Sequence, residues 1–207
     1  MLRELMLGAR HFNDIHRGVP RMSPSLLSRR LKALQNAGIV DRVRRERRIE
    51  YHLTESGEAL VPVLEALAVW GKSWLPSTLS AERADPDLIL WDMHRRMNTD
   101  RMPSGRTVMR FDFTDQPPAK RYRWLIGEQA AIDICITDPG LDIDLFVETD
   151  SRTVTLVWYG DMALRHALDD GLIELHGPRR LCEAFPSWLQ LNLLAEVPRQ
   201  NRPPGSV

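Results

Sequence analysis

The chain has 207 residues and 28 Lys and Arg against 28 Asp and Glu, a length comfortable for two domains. Its neutral total conceals opposite halves: residues 1–76 carry thirteen Lys and Arg against eight Asp and Glu, a net of +5, and residues 77–207 carry fifteen against twenty, a net of −5. No run approaches the roughly 18–20 apolar residues that span a bilayer, no signal peptide opens the chain, and Cys135 and Cys182 lack CxxC or Cys/His ligand spacing, so membrane insertion, a disulfide framework and a zinc site are not expected.

Leu2, Leu5 and Met6 have the spacing of an apolar helical face at the first residues. Ser23-Pro24 then opens a stronger helix, because a hydroxyl that accepts from free backbone N–H groups precedes a proline whose missing donor costs nothing at the first helical position. Met22 and Leu27 can pack as a hydrophobic staple, and Gly38 supplies the left-handed C-terminus, so the spacing predicts a helix over 24–36. Leu27, Leu31 and Leu34 share one stripe, with Ser25, Ser28, Arg29 and Lys32 roughly opposite. One face packs and the other suits a DNA groove, with Ser23, Ser25 and Ser28 permitting close approach and Arg29 able to read guanine.

Ile39-Val40 and Ile49–Leu53 have strand composition, and between them lies the cationic run Val43-Arg44-Arg45-Glu46-Arg47-Arg48. A hairpin with a basic tip is predicted, with Arg44, Arg45, Arg47 and Arg48 as phosphate contacts beside the groove.

The stretch LRELMLGARHFNDIHRGVPRMSPSLLSRRLKALQNAGIVDRV, continued by IEYHLTESGEAL, resembles the winged helix-turn-helix domain of HxlR-type transcriptional regulators over about residues 1–75. The resemblance implies a supporting helix at Phe12–Arg17, a recognition helix at Ser23–Asn36, a wing at Arg42–Glu50, double-stranded DNA as partner and a homodimer. HxlR-like domains carry a further N-terminal segment, often with a cysteine, before the helix that Met1–Leu7 resembles. That segment has no counterpart, so the expectation is a domain lacking one N-terminal helix, or a start assigned too late.

Thr54 can cap a long helix to Trp74 in which Leu60, Val63, Leu64, Leu67 and Trp74 recur at helical spacing, with a kink near Glu58–Pro62 because interior proline loses a backbone bond. In HxlR-like proteins the equivalent helix contributes to the dimer. Residues 77–84 are read as a linker between a first domain at 1–76 and a second at 85–196, and 197–207, with three prolines and no apolar periodicity, as a disordered tail.

The second domain is predicted to open on a helix running to about Met97. Strands follow near 106–113, 121–126, 131–137 and 142–148, then helices near 153–159 and 162–168, a strand near 172–175 and a helix near 179–189. This order is an α+β layer arrangement. Asp133, Asp142 and Asp144 alternate with apolar residues and mark a wet sheet face, and Asp138-Pro139-Gly140 marks a turn. With Gly160 and Ala167-Leu168-Asp169-Asp170-Gly171-Leu172-Ile173 before a last helix, about residues 85–190 resemble the sterol-carrier-protein fold. That resemblance implies a hydrophobic tunnel for fatty acyl or sterol-like ligands, for which Trp91, Trp124, Trp158, Phe185 and Trp188 are the candidate lining.

The fold class expected is therefore an α-rich winged helix-turn-helix domain followed by an α+β sterol-carrier-like domain. The function expected is a cytoplasmic, sequence-specific DNA-binding regulator controlled by a lipophilic effector, the alternative being a lipid carrier whose winged helix serves dimerisation. No catalytic or metal-binding spacing stands out among the residues, and neither an enzyme nor a cofactor is expected.

Overall fold

The computed structural model describes residues 1–46, 48–76 and 84–200. They form two compact units, Met1–Gly71 and Lys72–Val207.

In the first unit α1 (Leu2–Met6), α2 (Phe12–Arg17) and α3 (Pro24–Asn36) precede a hairpin of β1 (Val40–Arg45) and β2 (Arg48–Leu53), then α4 (Glu55–Glu58) and α5 (Val61–Trp74). Its core gathers Leu5, Ile15, Leu27, Leu31, Val40 and Tyr51, one or two apolar side chains from each of α1, α2, α3, β1 and β2. The α3 bounds agree with the capping signals: Ser23 Oγ accepts from Leu26 N at 3.3 Å, and Gly38 takes a φ of 69° beyond the C-terminus. The predicted long helix is broken rather than kinked. Helix α4 stops at Glu58, and Pro62 sits at the second position of α5, where its absent N–H breaks no bond.

Two predicted boundaries move. The division between the units falls inside α5, after Gly71, and Lys72 and Ser73 are buried in the second unit. Residues 197–200, expected in the tail, are tied to the second unit, because Val197 N donates to Leu194 O and Gln200 N to Ser73 O. The linker at 77–84 lies, apart from Ala84, outside the described residues, as does the tail beyond Gln200.

The second unit opens on α6 (Pro86–Met93), capped by Asp85, whose carboxylate accepts from Asp87 N at 3.1 Å. A 3-10 turn at His94–Arg96 ends this segment short of the predicted Met97. Strands β3 (Thr107–Phe113), β4 (Tyr122–Glu128), β5 (Ala131–Cys135), β6 (Leu145–Thr149) and β7 (Ile173–His176) form one sheet in the order β5-β4-β3-β6-β7. Only β3 and β6 run parallel; the other neighbours are antiparallel, so the sheet is mixed. A short helix α7 (Pro118–Arg121) precedes β4, and α8 (Ser151–Trp158), α9 (Leu164–Asp169) and α10 (Arg179–Trp188) complete the α+β unit.

Met109, Phe111 and Phe113 alternate along the central strand and join Leu125, Leu145, Val147, Leu90, Trp158, Phe185 and Trp188 in the core. Asp133 and Asp142 are exposed as expected, but Asp144 is half-buried. Its carboxylate accepts from Val108 N at 2.8 Å while its own N–H donates to Val108 O at 2.9 Å, fixing where β6 begins beside β3.

Candidate nucleic-acid interface

Helix α3 is held from behind. Leu27 and Leu31 are fully buried, and the turn between α2 and α3 is tied by His16, whose Nε2 donates to Met22 O at 2.8 Å. Gly18 in that turn lies against the buried Glu4, and a Cβ there would come within 1.9 Å of the Glu4 carboxyl carbon. Nothing local in the sequence announces this contact, because no neighbouring residue marks a carboxylate on a five-residue helix as buried.

With that face packed, Ser25, Ser28, Arg29 and Lys32 are exposed along the other. Arg29 and Lys32 make no ion pair among the described residues, so the helix presents uncommitted donors. Ser23 differs. Its hydroxyl caps Leu26 N and lies 3.1 Å from Ser25 Oγ, which ties both hydroxyls to the helix terminus and leaves Ser28 as the uncommitted small donor.

Of the basic run, Val43, Arg44, Arg45 and Arg48 are strand rather than tip. Pairing extends from Val40↔Leu53 to Arg45↔Arg48, with Glu46 beyond β1 at a φ of 50°. Opposed residues share a face, so Arg42 and Arg44 lie with Tyr51 and Ile49, whereas Arg45 and Arg48 lie with Val43 and Glu50. Arg42, Arg44 and Arg48 are exposed, and Arg45 has the Glu50 carboxylate 3.6 Å away. Arg47 lies outside the described residues. Arg42 enters the basic surface through the extension of the strand, which composition did not reveal because arginine is no marker of a β-strand.

Two anchors hold the hairpin within its unit. Tyr51 N donates to Arg10 O at 2.8 Å and His11 Nδ1 donates to Ile49 O at 3.2 Å, so residues 10–11 satisfy the outer edge of β2. At its base Thr54 Oγ1 donates to Gly38 O at 2.6 Å and accepts from Gly57 N at 3.1 Å. The arrangement is an apolar support behind a helix face and a hairpin that both carry cations without an acid partner among the described residues.

The second unit holds a small cavity of about 20 Å³, lined only by apolar side chains from the core face of the sheet and the helices, among them Met93, Phe111, Val154, Trp158, Leu164 and Phe185. A cavity of that size holds about one water. Of the five aromatic residues predicted to line a tunnel, Trp158 and Phe185 reach it and three do not. Trp188 is fully buried with its Nε1 donating to Arg101 O at 2.9 Å, Trp91 carries the Arg95 guanidinium 4.6 Å from its ring centroid, and Trp124 lies on the opposite sheet face.

A family model described as HxlR-like helix-turn-helix matches residues 1–79. The chain is 39% identical over 80 residues to the uncharacterized HTH-type transcriptional regulator YvaP of Bacillus subtilis, covering 37% of this chain and 74% of that protein. It is 36% identical over 70 residues to an uncharacterized HTH-type transcriptional regulator of Methanothermobacter thermautotrophicus, covering 32% of this chain and 53% of that protein, about half of its length. Among solved structures it is similar to Sterol Carrier Protein-2 like-3 from Aedes aegypti, at 14% identity and a TM-score of 0.33, over 49% of this chain and 96% of that one.

Proposed function

This chain belongs to the HxlR-like helix-turn-helix family, and on that premise we propose that it is a sequence-specific DNA-binding regulator of transcription. The observation that carries the reading is the uncommitted face of α3, where Ser28, Arg29 and Lys32 stand exposed over a buried Leu27 and Leu31, beside a hairpin bearing Arg42, Arg44 and Arg48. Helix α3 enters the major groove, Arg29 reads a base edge and the hairpin arginines contact phosphates. Selection of genomic fragments by the full chain, followed by gel shift at moderate salt, tests it. A recurrent retained sequence is expected, and indifference between selected and random duplex would refute it.

The working form is a homodimer that reads two half-sites. Val63, Leu67, Trp70 and Trp74 follow one another at steps of four, three and four along α5 and are 61%, 60%, 52% and 50% exposed, a seam of the kind that pairs with a second helix. Sedimentation of the parent and of Leu67→Glu distinguishes this, with two chains expected for the parent and one for the variant.

The second unit is the sensor in this reading, taking a lipophilic effector at the apolar cavity beside Trp158 and Phe185. An acyl chain enters only if the surrounding helices part, because the present space is about one water in size. The effector then acts by favouring the dimer geometry in which the cavity is open. Native mass spectrometry of the purified protein checks this, with retained lipid as the expected result.

A further inference from the structure

One register row crosses all five strands of the second unit's sheet. Cys135 on β5 is paired with Trp124 on β4, Trp124 with Arg110 on β3, Arg110 with Phe146 on β6, and Phe146 with His176 on β7. Side chains alternate along a strand and paired residues share a face, so this row lies opposite Met109, Phe111, Leu125 and Val147 of the core. It belongs neither to the basic surface of the first unit nor to the wall of the apolar cavity.

At its centre stands a cation with no acceptor among the described residues. The Arg110 guanidinium carbon lies 4.6 Å from the Phe146 ring centroid and 4.9 Å from that of Tyr122. Among the described residues Arg110 makes no ion pair, and its Nε is buried with no hydrogen-bond partner. Its cross-strand neighbour Trp124 is 6% exposed and its Nε1 is likewise buried without a partner. The nearest acid along the strand does not serve, because Asp112 is taken by Arg121 at 2.7 and 3.4 Å.

Burying a donor without an acceptor costs free energy, and more so when the donor is charged. Directly opposed residues have Cβ atoms about 5 Å apart, so the two unpartnered donors belong to adjoining side chains on one face, and a group with two acceptor oxygens matches their number. An ionised carboxylate is such a group, an acceptor only, and its bonds to guanidinium are charge-assisted. The adjoining row sets a limit on charge: Asp112, Glu148 and Glu174 lie in register beside one another, which opposes a dianion such as phosphate. The geometry points to Arg110 and Trp124 as a site for the carboxylate of a small monocarboxylic acid, with Phe146 and Tyr122 as the apolar flanks of the guanidinium.

The test uses the full chain labelled with nitrogen-15 at tryptophan, the Trp124 indole resonance being identified by its loss in Trp124→Phe. Benzoate and octanoate are titrated as an aryl and an acyl carboxylate, with methyl benzoate as the uncharged control. A saturable downfield movement of the Trp124 resonance is expected with at least one carboxylate, and none with the ester. Whichever carboxylate binds tells aryl from acyl. In Arg110→Gln the affinity should fall at least about tenfold, the loss that accompanies removal of a charged hydrogen-bonding partner. Three results overturn the proposal: a resonance unmoved by both carboxylates, equal movement with the ester or with chloride at the same ionic strength, or an unchanged titration in Arg110→Gln. The ester and chloride comparisons need no variant and decide the matter even if Arg110→Gln does not fold.

Discussion

Across the hairpin, Arg45 Nε lies 3.6 Å from Glu50 Oε2, and the same carboxylate oxygen accepts from His52 Nε2 at 2.8 Å. The hydrogen bond from His52, and after it the charge of Arg45, hold the Glu50 carboxyl below the usual carboxylate range, so Glu50 stays ionised at neutral pH and keeps part of the field of Arg45. Arg44 and Arg48, on the same two strands, have no such partner among the described residues.

The arginines of the hairpin therefore differ in what they offer to phosphate. Arg44→Ala should lower the salt slope of binding to a random duplex by about one unit, the release expected for one lost phosphate contact. Arg45→Ala should lower it by less, and Glu50→Gln should tighten non-specific binding. Fluorescence anisotropy over a series of salt concentrations measures all three, and equal losses at Arg44 and Arg45 would count against the role given to Glu50.

On the recognition helix the expected effect is specificity rather than general affinity. Arg29→Ala should cost about 1–3 kcal/mol on a selected operator and far less on random DNA. Lys32→Ala, if it contacts phosphate, should weaken both alike. The comparison is a competition gel shift with each duplex, and equal loss on operator and random DNA for Arg29→Ala would remove Arg29 from base reading.

The base of the hairpin should be the most sensitive point of the first unit. Thr54→Ala removes an N-cap and should destabilise by about 1 kcal/mol. Gly57→Ala should cost more, because its Cβ would stand 2.2 Å from the backbone oxygen of Ile39, an atom that moves only with β1. Thermal unfolding followed by circular dichroism ranks the two.

In the second unit Asp161 faces two cations, Lys72 Nζ at 2.5 Å and the Arg199 guanidinium at 2.6 and 2.5 Å, and Lys72 and Asp161 are only 3% and 10% exposed. Burial pushes the Asp161 carboxyl up, but the hydrogen bonds from Arg199 and Lys72 outweigh it and hold the group below the usual range. A depressed carboxyl contributes stability that is present above its unfolded pKa and lost as pH falls through the folded one. Asp161→Asn should destabilise by about 3 kcal/mol at neutral pH, since it leaves Lys72 buried without a counter-charge. In urea unfolding at several pH values, the gap between parent and variant should persist at pH 5 and close only below about pH 4.

What the residues made legible was local. Ser23, Pro24 and Gly38 delimit α3 because a cap, a proline and a left-handed glycine act within four residues of the ends they define. The strands of the second unit follow from alternation for the same reason, and fall within a few residues of their predicted places. The hairpin shows where this stops: Arg42, Arg44, Arg45 and Arg48 become strand because the neighbouring strand supplies their hydrogen bonds, and arginine itself carries no signal for that.

Sequence by itself determined the character of the two halves, a basic winged helix and an acidic α+β layer, because charge, period and capping are properties of short stretches. Only the tertiary structure decided which large residues share a space. Trp158 and Phe185 meet at the cavity while Trp124 stands beside Arg110 on the other face, since which side of a sheet the helices cover is set by packing and not by period. It also decided that the last turn of α5 belongs to the second unit, where Arg199 donates to the carbonyl of Lys72 across 127 residues of chain. A bond of that span depends on the closed fold bringing its partners together, and no neighbouring residue announces it.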